Sequence, residues 1–193
     1  MKRCSWCNTN NPLYVCYHDN EWGVLNLDEK YLFQMLILEG FQAGLSWECV
    51  LNKRESFLKA YKGFIPSVVA SFDEQKIVSL MKNKDIICNK RKILASVSNA
   101  KLFLEIEKEY SSFSRNLLSF TGKKILLERG KSSNELSDTI SSDLRRRGMK
   151  FTGTKIIYSY LQAIGLIHSH EETCYLANRK NKEFPPIDEA FFL

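Results

Sequence analysis

Residues 28–47, DEKYLFQMLILEGFQAGLSW, contain the signals for one helix, a short turn and the start of a second helix. Asp28 is a typical N-cap residue, because its carboxylate can accept hydrogen bonds from the first free backbone amides of a helix. The apolar residues after it recur at spacings of three and four, the period of a buried helical face, and we expect this helix to end at Gly40. Ser46 can cap the next helix in the same way. The stretch therefore predicts packed helices rather than a sheet.

Helical patterning continues through most of the chain. The pattern capped by Ser46 keeps one apolar stripe as far as Tyr61, and another helix stops before Gly148, which suits a left-handed cap. Further helical patterns lie at 66–71, from Asp73 onward, at 90–109, at 113–120 and at 154–166. No internal repeat or alternating strand series is present. We therefore expect an all-α fold of about eight helices, with residues 1–193 forming a single domain and residues 175–193 an unassigned C-terminal tail.

The composition is that of a soluble globular protein. Hydrophobic residues make up 44% and charged residues 26% of the 193 residues, which is the ordinary range for a folded domain. No apolar run approaches the roughly 18 residues of a membrane span, so we expect no membrane partner. The N-terminal residues carry no apolar segment typical of a secretory signal, and six cysteines without such a signal indicate the reducing cytoplasm.

Cysteine and histidine residues near the two ends of the chain could form one metal site. His170 and Cys174 are four residues apart, so both side chains would lie on one face of a helix. Cys4 and His18 lie near the other terminus. Two cysteines and two histidines are typical of a closed, structural zinc site, and thiolates favour zinc over magnesium or calcium. Such a site would tie the N-terminal segment to the C-terminal segment and add metal-binding free energy to folding.

The spacing of these residues leaves the choice of ligands open. Cys4 also forms a C-x-x-C pair with Cys7, which could supply both thiolates. His168 lies two residues from His170 and could replace it. The two ends of the chain could also be unrelated to each other, since no compact zinc-finger pattern is present.

Several blocks of the sequence resemble the bacterial 3-methyladenine DNA glycosylase I family. The blocks are CSW at 4–6, PLY at 12–14, YHDNEWG at 17–23, LEGFQAGLSW at 38–47, FTGT at 151–154, YS at 158–159, QA at 162–163, GL at 165–166 and His170-x-x-x-Cys174. They occur in order through about residues 1–175. The tail beyond, which includes Pro185, Pro186, Phe191 and Phe192, is not covered by the resemblance.

The resemblance implies a fold, a metal and a partner. The fold is the all-α helix-hairpin-helix DNA glycosylase fold, in which a zinc site ties the two ends of the chain. The structural Zn²⁺ would be held by the residues that match the family's ligands, which are Cys4, His18, His170 and Cys174. Cys7 and His168 fall outside this set. The partner would be double-stranded alkylated DNA, and the product would be 3-methyladenine. The enzyme is expected to be a monomer.

The resemblance also assigns roles in base excision repair. Tyr17 and Trp47 would stack on a flipped base, and Glu39 would accept a hydrogen bond from its exocyclic amine and stabilise the sugar cation as the bond breaks. The aromatic residues Trp6, Tyr14 and Trp22 would complete the pocket. Hydrolysis of the N-glycosidic bond would leave an abasic site, with no lysine Schiff base.

Residues 14–23, YVCYHDNEWG, combine several of these residues in one short segment. The segment has neither a helical nor a strand period, and we expect a loop. His18 would face the zinc from this loop, while Tyr14, Tyr17 and Trp22 would face the base.

DNA contacts are expected at a hairpin and at a basic cluster beside it. The hairpin candidate is residues 83–87, where Asp85 stands at a position in which the family tends to have glycine. Its charge would oppose a phosphate, and Lys90, Arg91 and Lys92 could compensate, although the same cluster could be an ordinary solvated helix face. The net charge of +6 permits a polyanionic partner. The alternative function is a non-catalytic zinc-containing protein that binds alkylated DNA. A zinc hydrolase would need an open coordination position, which four protein ligands do not leave.

Overall fold

The computed structural model describes residues 1–178, and helices occupy most of this part of the chain. The helices are α1 Pro12–Asn20, α2 Glu29–Gln42, α3 Trp47–Leu51, α4 Arg54–Ala60, α5 Pro66–Ala70, α6 Glu74–Lys82, α7 Lys90–Tyr110, α8 Phe113–Thr121, α9 Glu135–Arg146 and α10 Thr154–Ala163, with a 3₁₀ turn at Lys62–Phe64 and two short strands, β1 Leu126–Leu127 and β2 Ile167–His168. The prediction of a mainly helical protein is confirmed. The part of the tail that contains Pro185, Pro186, Phe191 and Phe192 lies outside the described residues.

Helix α2 is the centre of the molecule. The side chain of Asp28 accepts a hydrogen bond from the Tyr31 amide, as the cap signal predicts, and every residue from Leu32 to Phe41 is buried. Helices α3, α7, α8 and α10 all pack against it. The helix continues two residues past the predicted end at Gly40, where a Cβ atom would lie 3.4 Å from the Phe151 Cβ. The glycine therefore allows close packing inside the helix instead of ending it.

Two predicted helices have different ends in the structure. The apolar stripe from Ser46 to Tyr61 is divided between α3 and α4, because Lys53 departs from helical backbone angles while the stripe stays on the buried side. The predicted helix 154–166 ends at Ala163, since Gly165 adopts a φ of +79°. A Cβ atom at Gly165 would lie 2.3 Å from the Leu25 amide, so only glycine fits there.

The predicted loop at residues 14–23 is wrong, because residues 12–20 form helix α1. Asn11 caps this helix by accepting hydrogen bonds from the Leu13 and Tyr14 amides, and Pro12 occupies its first turn. Both signals precede residues 14–23 in the sequence. The buried residues of the helix are the ones expected to face the metal and the base, so its inner face carries candidate site residues instead of ordinary apolar residues.

The two ends of the described chain meet. Strand β1 pairs in parallel with β2, with Leu126 opposite Ile167, and the Tyr175 amide donates to the Lys2 carbonyl at 2.9 Å. Arg129 holds the same region by donating to the carbonyls of two residues near the C-terminal end, His170 and Ala177. Among residues 1–178, no helix is both long and apolar enough to cross a membrane.

Candidate active site

A cavity of about 400 Å³ lies between α1, α2, α3 and α10. Its volume is within the usual range for a small-molecule site. The side chains predicted to bind or act on a base all line it, and these are Trp6, Tyr14, Tyr17, Trp22, Glu39 and Trp47. The fold therefore brings all six predicted base-site residues together around one cavity.

The aromatic side chains form two connected groups around the cavity. The Tyr17 ring from α1 lies 5.3 Å from the Trp47 ring at the start of α3, with an interplanar angle of 43°. The Trp6 ring lies 4.7 Å from the Trp22 ring in an edge-to-face arrangement and 5.4 Å from the Tyr14 ring. All five side chains are buried or half-buried, so their faces are held in place by packing.

Glu39 is the acidic group in the wall formed by α2. Its residue surface is only 3% exposed, and burial raises the pKa of this carboxyl to about 8. Among the described residues, no group makes a hydrogen bond to Oε2 of Glu39. The indole Nε1 of Trp47 is also buried without a hydrogen-bond acceptor in this part of the chain. The cavity therefore presents one acceptor and one donor that a bound molecule could satisfy.

Polar residues that were not predicted complete the lining. Gln42, Ser159 and Gln162 face the cavity, and all three lie in the blocks that carry the family resemblance, which was the available signal. Lys131 and Glu171 stand at the edge, and no motif marked them in the sequence.

The four predicted metal ligands converge in the interior. The ligand atoms of Cys4, His18, His170 and Cys174 lie within 4.8 Å of one another, and all four residues are buried. The Sγ of Cys4 is 3.4 Å from Nδ1 of His170, and the Sγ of Cys174 is 3.6 Å from Nε2 of His18. Within residues 1–178 this converging group includes neither Cys7 nor His168, so the geometry selects the set that the resemblance implies.

The surroundings of this group fit a bound cation. The carboxylate of Asp19 lies 2.8 Å from Nδ1 of His18, which orients the ring and directs Nε2 towards the cluster. Arg3 pairs with Asp19 and holds the pKa of that carboxyl well below its usual range. Burial raises the pKa of the Cys4 thiol to about 12, and a metal cation would offset this cost by binding the thiolate. Residues 1–178 therefore contain a buried site that could hold a metal ion.

The candidate metal site and the cavity share a wall. The Trp22 ring lies 4.7 Å from the His170 ring at an interplanar angle of 89°, and the Trp6 ring lies 5.1 Å from the His18 ring. Both indoles also line the cavity. Movement of either imidazole would therefore displace an aromatic wall of the cavity.

The basic cluster at the start of α7 divides between surface and interior. Lys90 and Arg91 are exposed, whereas Lys92 is buried and its Nζ donates to the carbonyls of Phe41 and Ala43 at 2.8 and 2.6 Å. The prediction that Lys92 faces DNA is therefore wrong, because its position on the helix turns it inward. Its ammonium instead neutralises the C-terminal end of α2, close to the turn that carries the cavity acid.

The segment between α6 and α7 forms a turn in which Lys84 and Asp85 are exposed and Ile86 is buried. The Asp85 amide donates to Oδ1 of Asn83 at 3.0 Å, and the ammonium of Lys53 donates to the carbonyls of Lys84 and Asp85 at 3.2 Å each. Lys53 therefore links this turn to the segment between α3 and α4.

Comparison with known proteins gives one consistent result. The sequence model of the family described as methyladenine glycosylase matches residues 6–177. The chain is 40% identical over 180 residues to DNA-3-methyladenine glycosylase 1 of Escherichia coli K12, which covers 90% of this chain and 96% of that protein. It is 36% identical over 178 residues to DNA-3-methyladenine glycosylase of Haemophilus influenzae, covering 89% and 96%. A solved structure of 3-methyladenine DNA glycosylase I from Staphylococcus aureus, which concerns 3-methyladenine recognition, matches with a TM-score of 0.88 and 34% identity, covering 94% of this chain and 99% of that one.

Proposed function

The chain belongs to the methyladenine glycosylase family, and from this premise we propose that it removes 3-methyladenine from alkylated double-stranded DNA. It is an enzyme, a glycosylase that hydrolyses N-glycosyl bonds. The product would be the free base and an abasic site, which is the first intermediate of base excision repair. We propose that the enzyme acts in the cytoplasm as a monomer with a single glycosylase domain.

One observation carries the proposal, namely the buried Glu39 carboxyl with an unpartnered oxygen in an aromatic cavity. Methylation of adenine at N3 gives the base a positive charge and weakens its bond to deoxyribose, so the base can depart as a neutral molecule. A base inside a duplex cannot reach a cavity of this kind, and the nucleotide would therefore be flipped out of the stack.

Each lining group has a role that follows from its chemistry. The faces of Tyr17 and Trp47 would stack on the flipped base and favour the cation, because aromatic faces carry negative potential. Glu39 would accept a hydrogen bond from the exocyclic amine and then stabilise the positive charge that develops on the sugar as the bond breaks. The remaining aromatic residues, Trp6, Tyr14 and Trp22, would enclose the base and exclude bulk water.

Zinc is the metal that best fits the buried four-residue group. Cys4, His18, His170 and Cys174 would hold Zn²⁺ as a closed tetrahedral site, and such a site contributes folding energy instead of an open coordination position. It would fasten the N-terminal segment to the C-terminal one behind the aromatic wall. The catalytic groups would then be those of the cavity alone.

DNA would bind on the side of the molecule that carries the α6–α7 hairpin. We propose that α6, residues 83–89 and α7 form the helix-hairpin-helix motif, whose outward backbone amides bind a phosphate. The contacts of Lys53 with the Lys84 and Asp85 carbonyls support this arrangement, because they fix the conformation of the segment that would approach the phosphate. Lys90 and Arg91 would contact adjacent phosphates, and they offset the charge of Asp85.

The test is release of a damaged base from DNA. The protein is incubated with duplex DNA treated with a methylating agent, and the released bases are separated by chromatography. We expect 3-methyladenine in the supernatant, and a much lower rate for Glu39→Gln. Tight binding to methylated DNA without any base release would refute the proposal and would favour the non-catalytic alternative.

A further inference from the structure

A second cavity of about 200 Å³ adjoins the aromatic one. Three residues line both cavities, and they are Glu39, Gln42 and Ser159. The rest of the second cavity is formed by the loop at 43–45 and by Lys155 and Ile156 in the first turn of α10. The two spaces therefore meet at a boundary made by one side of α2 and one side of α10.

One face of α2 and one face of α10 line the second cavity. Glu39 and Gln42 are three residues apart on α2, and Lys155 and Ser159 are four residues apart on α10, so each pair lies on one helix face. The boundary includes the only acidic group of the second cavity's described lining, which is Glu39. Each helix thus contributes to the boundary and to the space beyond it.

A flipped nucleotide would extend across this boundary. Its base would fill the aromatic cavity, and the deoxyribose is attached to the base by the bond that the enzyme hydrolyses. The carboxyl expected to stabilise the sugar cation is at the boundary, so the bond would lie there too. The deoxyribose and its phosphate must then occupy the next available space, which is the second cavity.

The charge of the second cavity fits a phosphate. Of the described residues that line it, Lys155 alone is cationic, and its side chain is exposed. Within residues 1–178 its ammonium makes no hydrogen bond or ion pair. A phosphate oxygen would be a favourable acceptor for this ammonium.

We infer that the second cavity is the subsite for the deoxyribose and phosphate of the flipped nucleotide, in which Lys155 binds the phosphate while Gln42 and Ser159 position the sugar. This inference rests on the proposed function, because it takes the aromatic cavity as the base site. Lys155 is a binding residue, and the two boundary residues are positioning residues.

The first experiment compares Lys155→Met with Lys101→Met, a matched loss of one exposed lysine in the middle of α7. The probe is a short duplex with a tetrahydrofuran abasic analogue, and its Kd is measured by fluorescence anisotropy at several salt concentrations. We expect about tenfold weaker binding and a salt dependence reduced by about one phosphate contact for Lys155→Met only. Equal effects in both variants, or no effect of Lys155→Met, would overturn the inference.

The second experiment separates the sugar subsite from the base site. Free 3-methyladenine is titrated against each variant, with tryptophan fluorescence as the signal. We expect Lys155→Met to keep the parent Kd for the free base, while Ser159→Ala lowers kcat/KM on methylated DNA about tenfold with a much smaller change in that Kd, and Ser159→Thr restores part of the kcat/KM. If Ser159→Ala weakens free-base binding as much as it lowers kcat/KM, Ser159 belongs to the base site and the assignment is wrong.

The two proposals can fail separately. If the parent protein releases no base from methylated DNA, the proposed function fails, whatever the variants do. If the parent releases the base and Lys155→Met binds the abasic duplex as well as the parent does, only the subsite assignment fails.

Discussion

Ionisation of Glu39 should control how the rate of base release depends on pH. Burial raises the pKa of this carboxyl from 4.5 to about 8, and at about 1.4 kcal/mol per tenfold change this disfavours the ionised form by roughly 5 kcal/mol. The ionised fraction of the free enzyme is then about one-tenth at pH 7 and about nine-tenths at pH 9. Because kcat/KM reports the free enzyme, it should rise about tenfold across that interval.

The assay is the initial rate of 3-methyladenine release at a low concentration of methylated duplex DNA, followed from pH 6 to pH 9 by chromatography. Glu39→Gln should be much slower and should lack the rise centred near pH 8. Glu107→Gln is the control, since Glu107 lies outside the cavity lining and its pKa is also raised, to about 7. A flat profile for the parent, or a rise that persists in Glu39→Gln but disappears in Glu107→Gln, would refute this reasoning.

The same ionisation predicts a change in stability with a definite sign. The folded protein keeps the Glu39 proton up to about pH 8, whereas the unfolded chain releases it near pH 4.5, so the carboxyl lowers the free energy of unfolding as the pH rises between these values. Glu39→Gln has no carboxyl to ionise and therefore keeps its free energy of unfolding over this pH range. Its free energy of unfolding in urea should exceed that of the parent by roughly 3 kcal/mol at pH 7, and the two should converge at pH 4. Equal stabilities at pH 7 would mean that the carboxyl is not buried as described.

Three further outcomes follow from the structure. Cys174→Ser should abolish the proposed zinc binding and weaken 3-methyladenine binding several-fold, because the candidate metal site packs against Trp22. Cys7→Ser should keep the zinc content of the parent, as measured by elemental analysis. Burial and a neighbouring carboxylate raise the pKa of Glu107, so Glu107→Gln should increase stability at pH 8 but not at pH 4 in urea unfolding. Lys53→Met should weaken binding to an abasic duplex several-fold while the Kd for free base is unchanged, and an unchanged duplex Kd would contradict the role of the hairpin.

Local signals in the sequence were sufficient for much of the framework. Asp28, Ser46 and Asp73 each accept a backbone amide at the start of the predicted helix, because a cap depends only on residues within one turn. The cavity lining could also be predicted, since the family resemblance named residues from three separate segments. Selecting the candidate metal ligands needed the resemblance as well, because residues 4 and 174 have no local relation that spacing could reveal.

The features that were missed depend on neighbours that are distant in sequence. Lys92 belongs to a basic cluster, and only the packing of α2 beside α7 turns its ammonium to two carbonyls. The pKa of Glu39 could not be predicted for the same reason, since its burial comes from helices on several sides of α2. Helix α1 was missed because its inner face is made of tyrosine and histidine, which do not give the usual apolar period.

The cost of ionising Glu39 offers a physical basis for selecting damaged bases. A pocket that senses only the extra methyl group gains about 1–3 kcal/mol of discrimination, because one methyl contributes little contact energy. A neutral adenine in the same cavity brings no charge, so the carboxyl beside it would stay protonated at neutral pH. A 3-methylated nucleotide brings a cation against Glu39 and the faces of Tyr17 and Trp47, and this attraction can offset the roughly 1.4 kcal/mol that ionising a carboxyl of pKa about 8 costs at pH 7. The absence of a basic partner for the Glu39 carboxyl therefore favours the charged lesion over the much more abundant neutral base. A permanent arginine or lysine partner would keep the carboxylate ionised with either base and remove this difference in binding.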